Sequence, residues 1–173
     1  MKVVLTIILF LLVNKVLAGL LVHPEKVMKE NFPQSKIEKK NILITTEKAK
    51  QIEKLSNIKL KSKIFKIYIA KKNNKVVGYG ILHMHRVRTK NEAVLISFTP
   101  DCKVVDVEII AFYEPPEYIP DKKWLNLFKN KTVKDSIRLK SDIPNITGAT
   151  LSAQAVARAV KQATAICEVV LKK

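Results

Sequence analysis

The spacing of hydrophobic and polar residues changes twice along the chain, and the first part has a helical spacing. Residues 24–31 start with Pro24, which suits a first helical position. Residues 46–56 carry Thr46 as a candidate N-cap and place their apolar residues on one face. Residues 19–62 are therefore expected to form a short helical lead-in.

The central part of the chain has the composition of β-strands. Apolar and β-branched segments alternate there with short turns that are rich in Lys, Asn, Pro and Asp. The predicted strands cover residues 64–69, 76–85, 93–98 and 104–113. Four strands joined by short turns favour an antiparallel sheet or meander.

The last part returns to a helical spacing. A proline-rich segment at 114–120 ends the strands, and Asp121 then caps a predicted short helix that holds Trp124. The strongest helix pattern follows at 151–171, where small and apolar residues recur at alternating intervals of four and three. The order predicts an α+β fold: a curved antiparallel sheet with a long C-terminal helix packed across it and a short helical N-terminal lead-in.

The N-terminus has the pattern of an export signal. A basic start, an uncharged apolar run at 3–13 and small residues up to Ala18 predict a signal peptide over residues 1–18. The alternative is an uncleaved anchor that continues to Val22, although Lys15 interrupts it. Both alternatives place the remaining domain, residues 63–173 with its lead-in, outside the cytoplasm.

Charge and cysteine content narrow the possible partners. The net charge is +17, which is explained by a solvated lysine-rich surface or by attraction to an acidic partner or membrane face. No basic motif interleaved with aromatic residues is present, so nucleic acid is not expected as a partner.

The chain has two cysteines, Cys102 and Cys167. An exported chain permits a disulfide between them, but the sequence leaves a buried free thiol equally open.

The segment 147–152, with the sequence Thr-Gly-Ala-Thr-Leu-Ser, lies at the start of the last predicted helix. The first N–H groups of a helix lack internal acceptors and carry partial positive charge, so they bind phosphate well. Gly148 and Ala149 are small enough to let a bulky group approach, and hydroxyls flank them. The alternative is an ordinary helix start with Thr147 or Thr150 as the N-cap.

The sequence Thr147-Gly148-Ala149-Thr150 resembles the flavinylation motif of the FMN-binding domain family. That family includes the C subunit of the sodium-pumping NADH:quinone reductase, the G subunit of the Rnf complex and nitrous-oxide regulators. The resemblance covers about residues 75–171 and extends to a Gly-containing strand at 77–80 and a strand that ends in Glu114. Family members often have a Gly-rich turn after this Glu, whereas this chain has two prolines.

The resemblance implies that a separate flavin transferase attaches FMN through a phosphoester to the Thr150 hydroxyl. Many members place an Asp six residues before that threonine. Here Pro144 occupies that position, so Asp142 is the nearest preceding acidic residue that a transferase could recognise. The expected cofactor-binding residues are Thr147, Gly148, Ala149, Thr150, Leu151, Ser152, Glu114, Tyr118 and Trp124. For the last three, the alternatives are a solvated carboxylate at a strand end and aromatic packing in a turn or in the core.

No residue pattern indicates a catalytic nucleophile, a Walker loop or a Rossmann fingerprint. His83 and His85 share one face of a strand, but they are too few to predict a zinc site, so no metal is expected. The sequence thus predicts an exported electron carrier or redox subunit rather than a stand-alone enzyme. Its expected partners are redox proteins such as a membrane complex or a cytochrome. The alternative is a basic binding module of the same fold without covalent flavin.

Overall fold

The computed structural model describes residues 19–172, and the predicted signal peptide lies outside them. Five antiparallel strands form one open sheet in the order β1-β2-β3-β4-β5, so each strand pairs with its neighbours in sequence. The strands are β1 (Lys36–Leu43), β2 (Ile64–Lys72), β3 (Lys75–Arg86), β4 (Asn91–Phe98) and β5 (Val104–Phe112). The sheet confirms the predicted antiparallel meander and adds one strand to it.

Among residues 19–172, four α-helices accompany the sheet. They are α1 (Pro24–Asn31), α2 (Thr46–Ser56), α3 (Lys122–Leu125) and α4 (Thr150–Ile166), and a π-helical turn at Cys167–Leu171 extends the last of them. Short 3₁₀ turns flank α3 at Pro116–Tyr118 and Asn126–Phe128. The cap of α2 is Thr45, not Thr46, because the Thr45 side chain accepts a hydrogen bond from the Lys48 backbone N–H.

Strand β1 is absent from the sequence prediction, which described residues 19–62 as helical. Its sequence, Lys-Ile-Glu-Lys-Lys-Asn-Ile-Leu, has too few apolar residues for a clear alternation. Within residues 19–172 the strand lies at the edge of the sheet and pairs only with β2, so charged side chains can point into solvent. Lys and Glu on such a strand also hinder pairing with another chain.

Both faces of the sheet are covered. Helix α4 packs its small residues Ala153, Val156 and Val160 on one face, and all three are fully buried. Met28 of helix α1 and the residue that caps its C-terminal end, Phe32, cover the opposite face. These two layers form the fold that the sequence predicted, with the long helix packed on the sheet.

Cys102 and Cys167 form a disulfide, which settles the alternative that the sequence left open. Cys102 lies in the turn between β4 and β5, and Cys167 follows the last residue of α4. The bond joins the far end of α4 to the sheet across a separation of 65 residues. Helix α4 is therefore held at one end by a covalent link, while its opposite end carries the Thr147–Thr150 motif.

Within residues 19–172, no helix combines the length and the apolar character that a membrane crossing requires.

Candidate functional site

The motif forms a tight turn that leads directly into α4. The backbone N–H of Ala149 donates to the Ile146 carbonyl oxygen at 3.1 Å and closes the turn. Gly148 has a φ of +83°, a left-handed conformation that strains other residues. A Cβ at this position would meet no atom within 4 Å. The glycine is therefore required for its backbone conformation rather than to admit a bulky neighbour.

The start of α4 has no side-chain cap among the described residues. Ala149 occupies the cap position, so neither Thr147 nor Thr150 acts as the N-cap that the simpler interpretation expected. The first hydrogen bond of the helix runs from the Ala153 N–H to the Ala149 carbonyl oxygen at 3.0 Å. The preceding N–H groups, from Thr150 to Ser152, consequently have no acceptor inside the helix and can bind an anion.

Thr150 is the first residue of α4, and its side chain is exposed. Its Oγ1 accepts a hydrogen bond of 2.9 Å from the side-chain amide of Asn145. Thr147 is also exposed but belongs to the turn before the helix. Of the two threonines, Thr150 is thus the one whose hydroxyl lies beside the uncapped helix start.

A cavity of about 200 Å³ opens at this helix start. It is lined by Val87, Arg88, Glu114, Tyr118, Gly148, Ala149, Thr150, Leu151 and Ser152. The structure therefore brings together most of the residues that the sequence singled out. Thr147 and Trp124 do not line the cavity.

Glu114 is buried, with 6% of its surface exposed, and it organises the turn between β3 and β4. Its Oε1 accepts hydrogen bonds from the backbone N–H groups of Thr89 at 2.6 Å and Lys90 at 2.7 Å. The N–H groups of Lys90 and Thr89 stabilise the carboxylate and hold the pKa of Glu114 below its usual range. Glu114 is therefore not a solvated carboxylate. It fixes the turn that borders the cavity.

Arg88 is a cavity residue that no sequence motif indicates. It lies in the turn held by Glu114, and its exposed guanidinium group is the cationic side chain among those lining the cavity. The chain contains 32 lysines and arginines, so no local pattern distinguishes this one. Arg88 therefore supplies a positive charge that can bind phosphate, in addition to the N–H groups of the helix start.

Trp124 packs in the core rather than against the cavity. Its ring meets the Phe128 ring edge to face, with 5.1 Å between the centroids. Its indole N–H donates to the Pro144 carbonyl oxygen at 2.8 Å, which ties α3 to the segment before the motif. Tyr118 is half-buried and does line the cavity, so it keeps its place as a candidate cofactor contact.

Asp142 holds the loop before the motif together. Its Oδ1 accepts from the Ser136 hydroxyl at 2.6 Å and the Arg138 N–H at 2.7 Å, and its Oδ2 accepts from the Ile137 N–H at 2.9 Å. Partial burial opposes ionisation, but these hydrogen bonds outweigh it and hold the pKa of Asp142 far below its usual range. Both carboxylate oxygens are engaged in the fold, which argues against Asp142 as a free recognition group for a transferase.

Comparison with known proteins gives a family match that includes the Thr147–Thr150 motif. Residues 90–165 match the family model described as the FMN-binding domain. The chain is 31% identical over 105 residues to the G subunit of the proton-translocating ferredoxin:NAD(+) oxidoreductase complex of Clostridium ljungdahlii. The match covers 56% of this chain and 56% of that relative, so the chain spans little more than half of the relative's length.

A solved structure shares the fold. The crystal structure of NqrC from Shewanella oneidensis superposes with a TM-score of 0.51 at 16% sequence identity. The superposition covers 91% of this chain and 72% of that one. The likeness in fold therefore extends beyond residues 90–165, the region matched by the family model.

Proposed function

We propose that this chain, whose residues 90–165 match the model of the FMN-binding domain family, carries FMN as a phosphoester on Thr150 and relays electrons outside the cytoplasm. The observation that carries the proposal is the position of the Thr150 hydroxyl. It lies on an uncapped helix start, in a cavity that also contains Arg88. An esterified phosphate at this oxygen would meet the free N–H groups and a guanidinium group together.

The donor groups of the cavity fit the phosphate of FMN. The N–H groups of Thr150, Leu151 and Ser152 would hold its oxygens, and Arg88 would balance its charge. Tyr118 and Leu151 supply apolar surface beside them. The volume of about 200 Å³ is below the range of about 300–1,000 Å³ for whole-ligand pockets, so it suits the phosphate end of the cofactor.

When bound, the isoalloxazine ring of FMN supplies the capacity to accept and release electrons. In this proposal Thr150 is an attachment point and not a catalyst. The helix start and Arg88 bind the phosphate, while Glu114 keeps the β3–β4 turn in place. A separate flavin transferase makes the ester bond, as in the family that the motif resembles: the FMN group of FAD passes to the Thr150 oxygen, and AMP leaves with the hydroxyl proton.

The partners follow from the relative's role. That relative is named as a subunit of a redox complex that takes electrons from ferredoxin to NAD(+) and translocates protons. We infer that this chain likewise exchanges electrons with redox proteins, either within a membrane complex or with a cytochrome.

Export is part of the proposal. The N-terminal pattern of a signal peptide motivates it. The Cys102–Cys167 disulfide supports it, because such bonds persist mainly in oxidising compartments outside the cytoplasm. Detection of the chain in the extracytoplasmic fraction, cleaved after Ala18 or still joined to its N-terminal segment, would test this part.

In-gel flavin fluorescence tests the covalent bond. The chain is co-expressed with a flavin transferase and denatured in SDS before electrophoresis. The wild-type band and the Thr147→Ala control are expected to fluoresce, and Thr150→Ala is expected to be dark. Flavin that leaves the wild-type protein on denaturation would contradict covalent attachment. Protein without any flavin would instead favour the basic binding module.

A further inference from the structure

A second cavity, of about 310 Å³, lies beside the first and shares Val87 and Leu151 with it. It is bordered by the loop after α2, the end of β3 and one side of α4. Its volume is at the lower end of the range for small-molecule sites. Neither the motif nor the family match assigns a ligand to this space.

The rim of the second cavity is strongly cationic. Lys59, Lys61, Arg86 and Arg158 line it, and no Asp or Glu does. The ion pairs found among residues 19–172 include none of these four side chains. Within residues 19–172, the rim therefore carries four cationic side chains that form no ion pair, which favours an anionic ligand.

The floor of the cavity is polar and preformed. Gln162 is buried, and its side-chain NH₂ donates to the Lys59 carbonyl oxygen at 3.3 Å, so its Oε1 faces His83. His83 must then donate from Nε2 to Gln162 at 2.8 Å and accept at Nδ1 from His85 at 3.3 Å. Burial lowers the pKa of His83 to about 4, so this ring is neutral at pH 7.

His85 completes the floor: its Nε2 lies 2.8 Å from Oε2 of the buried Glu92, and one of these two atoms carries the proton that joins them. The Gln162–His83–His85–Glu92 chain thus fixes the ring orientations without a ligand. Apolar side chains form the wall, among them Phe65, Leu151, Ala155 and Ala159. A ligand here meets apolar surface along its body and cationic groups at the rim.

We propose that the second cavity binds a small organic carboxylate, with its apolar body against the α4 wall and its carboxylate at Arg86 and Arg158. A guanidinium group can pair with a planar carboxylate through two parallel hydrogen bonds, and an uncharged amide does not reproduce this pairing. A bare inorganic anion would leave the apolar wall unused. The site does not depend on flavin, although it adjoins the Thr150 cavity.

The test is isothermal titration calorimetry on the full chain produced without flavin transferase. Benzoate and hexanoate serve as probes, with benzamide, hexanamide and inorganic phosphate as matched comparisons. At low salt, at least one carboxylate is expected to bind saturably at one site and at least tenfold more tightly than its amide or phosphate. Added salt should weaken this binding because the cations are exposed.

Two charge-matched variants locate the site. Arg158→Gln should weaken carboxylate binding about tenfold or more, whereas Arg138→Gln, at an exposed arginine outside the cavity, should change it less than twofold. Absence of saturable binding by both carboxylates, equal binding of the amides or of phosphate, or equal effects of the two variants would overturn the proposal. Loss of binding after flavin attachment would also overturn it, by assigning the cavity to the cofactor.

Because the titration uses chain without flavin, a failure of the proposed FMN attachment leaves this result unaffected.

Discussion

The side-chain amide of Asn145 donates a hydrogen bond of 2.9 Å to Oγ1 of Thr150 and so orients the hydroxyl at the start of α4. Its other amide atom, Oδ1, is buried and has no hydrogen-bond partner among residues 19–172. Among residues 19–172, the side-chain amide of Asn145 therefore forms one hydrogen bond, the one to Thr150. Asn145 is a positioning residue for the proposed acceptor hydroxyl.

Asn145→Ala should therefore slow flavin attachment without unfolding the domain. Loss of the hydrogen bond frees the Thr150 side chain to rotate, and we expect the initial rate of attachment to fall by roughly tenfold, the equivalent of one net hydrogen bond. The rate is measured as protein-bound flavin fluorescence against time with purified transferase. Asn126→Ala, at an exposed asparagine of a 3₁₀ turn, is the matched control. Equal rates for both variants would remove Asn145 from the site.

Two glycines should respond differently to alanine. Gly148→Ala is expected to cost about 1–2 kcal/mol of unfolding free energy, because φ of +83° is strained with a Cβ although the space is open. Gly78→Ala should cost more, since its Cβ would lie 2.2 Å from the Phe32 ring. Urea denaturation measures both. A neutral Gly148→Ala would show that the left-handed turn is not required.

Acidification should destabilise the fold through His83. In the folded chain the pKa of His83 is about 4, and in the unfolded chain it is about 6.5. Between pH 4 and 6.5 the unfolded chain therefore binds more protons than the folded chain, and this favours unfolding. The contribution of His83 is fully present above pH 6.5 and is lost as the pH falls towards 4, by up to about 3 kcal/mol. Urea unfolding at pH 7.5 and 5.0 checks this, with His83→Gln as the reference. An equally steep loss in that variant would contradict the assignment.

Reduction of the Cys102–Cys167 disulfide should lower the unfolding free energy. The bond closes a loop that spans 65 residues, for which the loss of chain entropy gives a stabilisation of about 4 kcal/mol. Unfolding curves with and without a thiol reductant measure the difference. The Cys102→Ala/Cys167→Ala double variant should be insensitive to the reductant. A wild-type curve that does not move would mean that the bond adds no stability.

The sequence predicts the elements whose apolar spacing is regular. The bounds of α1 and α2 and the start of α4 agree with their patterns to within one residue. Strand β1 escapes prediction because an edge strand needs few apolar residues. Its place in the sheet depends on pairing with β2, which lies more than twenty residues further along the chain.

The site is predictable only in its local part. The turn and helix start at 147–152 follow from a short segment, so the sequence identifies them. Arg88 enters the cavity because Glu114 holds a distant turn, and this relationship leaves no local signal. Trp124 was expected as a candidate ring contact, but its indole bonds to Pro144 and packs on Phe128, which only the tertiary fold determines.

Peptide mass mapping of the chain co-expressed with a flavin transferase tests the central claim most directly. The account predicts one added FMN, with loss of one water, on the peptide that contains Thr150. Fragmentation should place it on Thr150 and not on Thr147 or Ser152, and Thr150→Ala should carry none. An unmodified wild-type peptide, or an FMN that persists in Thr150→Ala, would contradict the account.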